Sequence, residues 1–477
     1  MNILHYDALK TVDLENIIVD KNLVKAIPEE MARENCIIAL KKVENKIYLV
    51  TDKKPDFYIE EKIKFILKSD IVFLRLNKEN VLKLIDKFYY REKFDHAINN
   101  IDFSPDKLLK KDSIEFKNSP VVKATNYIID RAIEERASDI HIEPFENGIN
   151  VRFRIDGIIY KRSKIPQNVY SHICTRIKIM SDLNIAEKRM PQDGKFKYTR
   201  NGKKYNVRVS ILPTIYGEKI VMRILYKDRN IVKLTNLGFL QEDEDKIKKL
   251  LRSMSGIILA VGPTGSGKST TLYSLLNNLN KTEKNIMSIE DPVEYTMDGI
   301  NQINTNDKIG LNFACGLRSI LRQDPDIIMI GEIRDEETAN IAVRAAITGH
   351  LVISTLHTNN AQEAVLRLEN MGVPKYFIDD ALIGIISQRL VRRICPYCKE
   401  SYNNLDMELS GISLNETLYR SKGCFKCNYT GYIGRTAVYE ITSMKSKIKS
   451  SISIQENCAN LIKNGITTYN EIINLNL

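Results

Sequence analysis

Residues 262 to 270 read Gly-Pro-Thr-Gly-Ser-Gly-Lys-Ser-Thr and follow directly on the apolar run Ile257 to Val261. Gly262, Gly265 and Gly267 leave backbone N–H groups free to approach an anion without Cβ obstruction. Pro263, Thr264 and Ser266 complete the turn between them. In the spacing Gly262-x4-Gly267-Lys268-Ser269, Lys268 brings a point charge to the β- and γ-phosphates of a nucleoside triphosphate. Ser269 brings a hydroxyl to Mg²⁺, and a helix opening through Ser269 and Thr270 turns its positive dipole end toward the phosphates. Strand, glycine-rich loop and helix stand in the order such a cradle needs, so bound ATP and Mg²⁺ are the expectation.

Hydrolysis further needs carboxylates at strand ends near that loop, to hold the metal and to orient water. Two apolar runs end this way: Ile286 to Ile289 runs into Glu290, Asp291, Pro292, Val293 and Glu294, and Ile327 to Ile330 runs through Gly331 into Glu332. Taken singly, either is also a solvated turn; beside a phosphate loop, Glu290 and Glu332 become catalytic candidates. A third run, Leu351 to Thr355, leads to His357, whose ring nitrogen can sense a γ-phosphate or metal-bound water.

The cysteines carry a second kind of chemistry. Cys395-Pro396-Tyr397-Cys398 and Cys424-Phe425-Lys426-Cys427 are two Cys-x2-Cys knuckles. Four thiolates so spaced can close a tetrahedral Zn²⁺ site that staples a loop-rich insertion, here placed at 391–435. A redox pair or four unrelated thiols are the alternatives. Cys36, Cys174, Cys315 and Cys458 are scattered and read as core or incidental residues.

Elements must position these groups. From about Asn236 onward, short apolar runs alternate with helical patterns, which implies a mostly parallel sheet covered on both faces. Residues 120–235 begin with the amphipathic pattern Val121 to Ile133 after Pro120, and contain two hairpins turning on Asp156-Gly157 and Asn201-Gly202. They read as an α+β domain of four strands plus helices. Residues 1–90 read as a small mixed domain with strands at Lys46–Val50 and Ile71–Leu74 and helices at Glu60–Lys68 and Glu79–Tyr90. The charged stretch 91–119, with Ser104-Pro105 and Ser119-Pro120, reads as a linker.

Composition narrows the class. The chain has 477 residues, 43% of them hydrophobic and 27% charged, which suits two to four globular domains. Its net charge of +11 fits an anionic partner, and equally a lysine-rich proteome, since Lys, Asn and Ile abound throughout. Met1 to Asp20 carries no signal-peptide apolar region, and no stretch reaches the roughly 18 apolar residues of a membrane-spanning helix. A cytoplasmic chain with reduced thiols, at most peripheral to a membrane, is the expectation.

Several motifs in fixed order then carry a resemblance: Ala137-Ser138-Asp139-Ile140-His141-Ile142-Glu143-Pro144, Arg189-Met190-Pro191-Gln192-Asp193-Gly194, Ile289 to Glu294, and Leu317 to Asp326. From about Pro120 to Ser443 the chain resembles the type II secretion and type IV pilus assembly ATPases, with a weaker match at the amino terminus. The resemblance implies an α/β RecA-like P-loop ATPase core at 236–477, preceded by a PAS-like α+β domain at 120–235 and a small α+β docking domain at 1–90. It implies a homo-hexamer that closes its ATP sites by domain movement and acts on an inner-membrane platform protein of the pilus assembly machinery. By the same similarity Glu290 and its neighbours form the aspartate box, Glu332 lies in Walker B, and His357 belongs to the histidine box. Arg208 and Arg223 of the smaller domain, with Arg318 and Arg322 of the core, occupy the positions of the motif arginines; guanidinium forks suit phosphate oxygens. The family carries a tetracysteine insertion, which its retraction ATPases generally lack.

Pilus assembly is favoured over type II secretion because the Lys/Asn/Ile-rich composition suggests a low-GC bacterium. A helicase or DNA translocase is a rival that would need basic residues interleaved with stacking aromatics, and no such segment is found. An ATP-gated scaffold without turnover is a second rival. No glycine- and leucine-patterned repeat of the cyclic-di-GMP-binding kind stands out at the amino terminus, so that ligand is not expected.

Overall fold

The structure, a computed structural model, describes residues 20–78, 80–82, 84–85, 88, 119–226, 234–403, 408–409, 412–413, 417–444 and 452–475. The expected linker 91–119 lies outside them save for Ser119, as does much of the helix expected at Glu79–Tyr90. The chain divides into two compact units, Met1–Leu225 and Tyr226–Leu477. Among the described residues, no helix is long and apolar enough to cross a membrane.

In the first unit, short helices α1 (Lys21–Ala26) and α2 (Glu29–Glu34) precede the hairpin β1 (Ile37–Val43) and β2 (Lys46–Thr51). Helix α3 (Phe57–Leu67) then crosses over to β3 (Asp70–Arg75), which lies parallel to β2. Asp56 caps α3 through the Ile59 N–H, and Lys68 ends it in the left-handed conformation.

A second sheet follows α4 (Pro120–Glu134). Ser119 Oγ accepts from the Val122 N–H, and Pro120 occupies the first turn, where its missing N–H costs nothing. Strands β4 (Asp139–Phe145), β5 (Gly148–Ile155) and β6 (Ile158–Ile165) precede α5 (Gln167–Met180). Strands β7 (Gln192–Arg200), β8 (Lys203–Thr214) and β9 (Gly217–Leu225) complete an antiparallel sheet in the order β6-β5-β4-β9-β8-β7. Both expected hairpins form, with Asp156, Gly157, Asn201 and Gly202 at positive φ. The sheet nevertheless has six strands rather than four. The two central ones, β4 and β9, pair with each other and join the hairpins into one surface. Polar residues such as His141 and Glu143 interrupt the alternation of β4, which hides it from a search for apolar runs.

The second unit starts with α6 (Leu234–Leu237) and α7 (Gln241–Leu251). Its sheet contains β10 (Gly256–Val261), β11 (Ile286–Glu290), β12 (Asn301–Asn304), β13 (Ile327–Ile330), β14 (Leu351–Leu356), β15 (Leu382–Ile394) and, after an insertion, β20 (Tyr432–Ser443). The order is β12-β11-β13-β14-β10-β15-β20, all parallel except β20 against β15. Helix α8 (Lys268–Leu279) packs on one face with α6 and α7. The other face is covered by α9 (Phe313–Ile320), α10 (Glu336–Ile347), α11 (Ala361–Asn370) and α12 (Lys375–Ala381). This is the α/β architecture expected, with β10 and β14 wholly buried. Three of its strands, β12, β15 and β20, lie outside the expected apolar runs. β12 is short and polar, and β15 continues from α12 without a turn.

Between β15 and β20 lie β16 (Lys399–Asn403), β17 (Glu408–Leu409), β18 (Ile412–Ser413) and β19 (Thr417–Ser421), paired β16 with β19 and β17 with β18. Helices α13 (Ile454–Lys463) and α14 (Tyr469–Ile473) close the chain, α13 through a Ser453/Glu456 capping box. Their apolar faces enclose Leu418 of the insertion together with Val391 and Val438.

Candidate functional site

Gly262 to Gly267 join β10 to α8, and Lys268 opens the helix. Gly262, Gly265 and Gly267 all have positive φ. A Cβ on Gly262 would stand 2.4 Å from the Gln388 carbonyl oxygen and 2.5 Å from Ser266 Oγ, so no larger residue fits there. Pro263, Thr264, Gly265 and Ser269 are exposed, Gly267 and Thr270 half-buried, and Ser266 and Lys268 buried. The Lys268 ammonium donates to the carbonyl oxygens of Gly262 at 2.8 Å and Pro263 at 3.0 Å. Burial lowers its pKa from the ordinary lysine value and Arg389 adds to that, while Glu332 opposes both. A phosphate in the loop would give this cation the anionic partner that its surroundings only partly supply.

Strand β15 holds the loop in place. The Gln388 carboxamide donates to the Ser266 carbonyl at 2.8 Å and accepts from Thr271 Oγ1 at 2.8 Å, linking the loop to the first turn of α8. Next to it, the buried Arg389 reaches the Asn359 carbonyl at 3.2 Å and side-chain oxygen at 3.1 Å, which pins the segment after His357. Neither residue was a candidate from sequence. Their signal is a polar pair inside an apolar strand, and β15 is not among the expected runs.

Glu332 and His357 come together beside Lys268. The Gly331 N–H donates to the Ile289 carbonyl at 2.8 Å and the Ile333 N–H to the Thr355 carbonyl at 3.1 Å, fixing Glu332 between β11 and β14. His357 Nε2 lies 3.5 Å from one Glu332 oxygen, and Arg334 donates to the other at 2.5 Å. Burial first, then Lys268 and Arg334, hold the His357 imidazole below the usual histidine range, against the pull of Glu332. Arg334 also approaches Asp291 at 3.6 Å, so one guanidinium joins the ends of β11 and β13. Arg334 follows Glu332 by two residues and is not among the candidates from sequence.

Glu290 sits differently. Its carboxylate is buried, 4% exposed, and accepts from Tyr273 Oη, from Ser288 Oγ at 2.6 Å and from Gln302 Nε2 at 3.1 Å. Asp291 and Glu294, which follow it, are exposed. Arg318 pairs with Glu337. Arg322 donates to the Arg318 carbonyl at 3.0 Å and Ser319 Oγ at 3.2 Å. Glu337 lines an open cleft of about 210 Å³ with Asp291, Asp307, Phe313 and Arg334.

In the first unit, Arg208 and Arg223 are register partners on β8 and β9. The row extends on both sides: Lys195 faces Arg208, Asp139 faces Arg223, and Arg154 faces Asp139. Four cations and one buried carboxylate thus cross five strands. Asp139 accepts from Arg223 at 2.8 Å and lies 3.8 Å from Arg154. Lys195 faces Arg208 within the Asn201-Gly202 hairpin, whereas Arg154 joins this row only once β4 and β9 are in place.

The four knuckle cysteines converge. All are buried, with Sγ atoms within 4.8 Å of one another. Cys395 and Cys424 sulfurs are 3.7 Å apart, Cys398 and Cys427 3.9 Å, and Cys424 and Cys427 3.8 Å. Tetrahedral zinc with Zn–S bonds of about 2.3 Å needs sulfurs about 3.8 Å apart, so the donor set fits the ion. The Cys424 and Gly431 N–H groups point at Cys427 Sγ at 3.1 and 3.2 Å, as thiolate ligands require. Among the described residues, the half-buried Ile433 packs against the cluster. Cys36, Cys174 and Cys458 are buried elsewhere, and Cys315 is exposed.

Comparison with known proteins gives a consistent answer. The family profile "Type II/IV secretion system protein" matches residues 115–474, and an "MshEN domain" profile matches residues 8–95. The type IV pilus assembly ATPase PilB of Myxococcus xanthus is 40% identical over 458 residues, covering 92% of this chain and 81% of that one. The type II secretion system protein E of Dickeya dadantii is 43% identical over 376 residues, covering 75% and 76%. The solved ATPase DotB of Legionella pneumophila superposes with a TM-score of 0.55 at 20% identity, over 74% of this chain and 95% of that one, a likeness of fold.

Proposed function

Because the chain belongs to the type II/IV secretion system protein family and is an ATPase of it, we propose that it is the cytoplasmic motor that powers type IV pilus assembly. The observation that carries its chemistry is the meeting of Lys268, Glu332 and His357 at the open end of the phosphate loop. In this reading the 262–270 loop holds ATP and Ser269 takes Mg²⁺. Glu332 and His357 orient the metal-bound and attacking water, and residues from Glu290 to Glu294 bring the second set of carboxylates. Arg208 and Arg223 stabilise the γ-phosphate when the 120–235 domain closes over the 236–477 core. Arg318 and Arg322 act from the core side. Cys395, Cys398, Cys424 and Cys427 hold a structural Zn²⁺ that staples the 391–435 insertion.

Closure in a ring of six chains would turn hydrolysis into displacement of an inner-membrane platform protein, with the 1–90 domain docking on the membrane machinery. Pilus assembly is favoured over secretion because similarity to the pilus ATPase extends over 92% of the chain, against 75% for the secretion relative. Deleting the gene in its source organism should remove surface pili under electron microscopy. A copy carrying Glu332→Gln should fail to restore them. Intact pili together with a lost set of secreted proteins would favour the type II secretion reading instead.

A further inference from the structure

Tyr273 lies four residues after Ser269 on α8, so it shares a helix face with the proposed Mg²⁺ ligand. Its side chain is 1% exposed, and its ring packs against Tyr295 with centroids 3.9 Å apart. Its hydroxyl does two things at once: it donates to Glu290 and accepts the Glu294 N–H at 3.2 Å. The acidic segment Glu290 to Glu294 is therefore tied at both ends to one oxygen of the phosphate-loop helix. On its other side, β12 completes the frame. Asn304 Oδ1 accepts from the Val293 N–H at 2.7 Å, and Gln302 Oε1 accepts from the Met297 N–H at 2.7 Å while Gln302 Nε2 donates to Glu290.

Resting on the ATPase reading, we propose that Tyr273 is a positioning residue for hydrolysis. Its hydroxyl sets the register between the phosphate-loop helix and the acidic loop after β11, with Glu290 as its anchor rather than as a group that touches the reacting water. The occupancy of Glu290 supports this: three donors converge on a buried carboxylate, so nothing is left to turn toward a metal without breaking them. Asp291 and Glu294 are exposed, and their placement relative to Ser269 is what the hydroxyl controls. Burial and Glu290 both push the Tyr273 phenol well above its ordinary pKa, so it remains a donor at every working pH.

The test uses the full chain with zinc and Mg²⁺. Tyr273→Phe keeps the ring against Tyr295 and removes only the hydroxyl. The expected result is a fall in kcat of about tenfold or more, with the Kd for ATP within about threefold of the parent, because an interaction acting only on the chemical step leaves binding alone. Glu290→Gln keeps an acceptor for the hydroxyl, and the double variant should be no slower than Tyr273→Phe alone, since residues acting as a unit do not add. Retention of more than about half of kcat in Tyr273→Phe overturns the proposal, as does a rise in Kd that matches the loss of kcat. Losses that multiply in the double variant also overturn it, as does a loss of about a thousandfold or more in Glu290→Gln alone, which would make Glu290 a chemical participant. A parent chain releasing no phosphate beyond its Lys268→Ala variant overturns the ATPase reading and this proposal with it, whereas the other outcomes strike this proposal alone.

Discussion

His357 shows how a single residue is tuned by its neighbours. Its ring is half exposed, faces Glu332 at 3.5 Å, and is held below the ordinary histidine pKa by burial and by Lys268. The neutral ring is thus the working form around neutrality. Protonation requires a pH below the unfolded value of about 6.5, because the added charge would face Lys268 and Arg334. We expect kcat to stay flat from about pH 8 to about pH 6.5 and to decline only below that, with His357→Gln removing this acid limb. Steady-state phosphate release across pH, with nucleotide affinity measured in parallel, checks it. A decline that begins above pH 7 and persists in the variant would assign it to another group.

At the scale of elements, the single strand β15 serves two sites. Gln388 clamps the phosphate loop, and the same strand runs on through Arg392, paired with Glu471, to Cys395 at the tetracysteine cluster. Gln388→Ala would leave the buried Ser266 carbonyl and Thr271 hydroxyl without this partner. Each lost buried hydrogen bond is worth about 1 kcal/mol, so the two together should lower ATP affinity by up to about thirtyfold in a nucleotide titration. The insertion is a different case, since four buried thiols converge where β15 ends. We expect about one zinc per chain by elemental analysis, falling to below about half in Cys398→Ser. Chelation should expose the insertion to proteolysis first, since metal binding is folding energy there. Unchanged cleavage after zinc removal would mean that Leu418 and α13 hold the insertion unaided.

For the whole molecule, the proposed chemistry is divided between two units. The phosphate loop with Glu332 and His357 belongs to the second, and the Arg154-Asp139-Arg223-Arg208-Lys195 row to the first. If closure of one over the other completes the site, Arg223→Ala and Arg208→Ala should each lower kcat by about a hundredfold or more while ATP still binds, as for an arginine supplied to a phosphoryl-transfer site. Asp139→Asn separates this from a purely structural role. It removes the ion pair with Arg223 but leaves the guanidinium, and should retain most of the activity. Equal losses in Asp139→Asn and Arg223→Ala would reduce the row to a fold-stabilising ion pair.

The local chemistry of this protein was written in contiguous residues. The phosphate loop needs its glycines, lysine and serine at fixed spacing, and the buried parallel strands announce themselves as short apolar runs. The two Asx-Gly turns were equally legible, because positive φ restricts the residues that can occupy them. Strand β1 lies outside the expected runs although its partner β2 is next to it in the chain; β4, β9, β12, β15 and β20 lie outside them because they carry polar side chains inward or pair with partners far along the chain, and no local pattern encodes such pairing. Tertiary structure alone therefore decided that Gln388 holds a loop more than a hundred residues before it, that Arg334 bridges two strand ends, and that Glu290 is spent on Tyr273. A motif specifies which groups are present. The packing of strands brought together from distant parts of the chain decides which of them remain free to act.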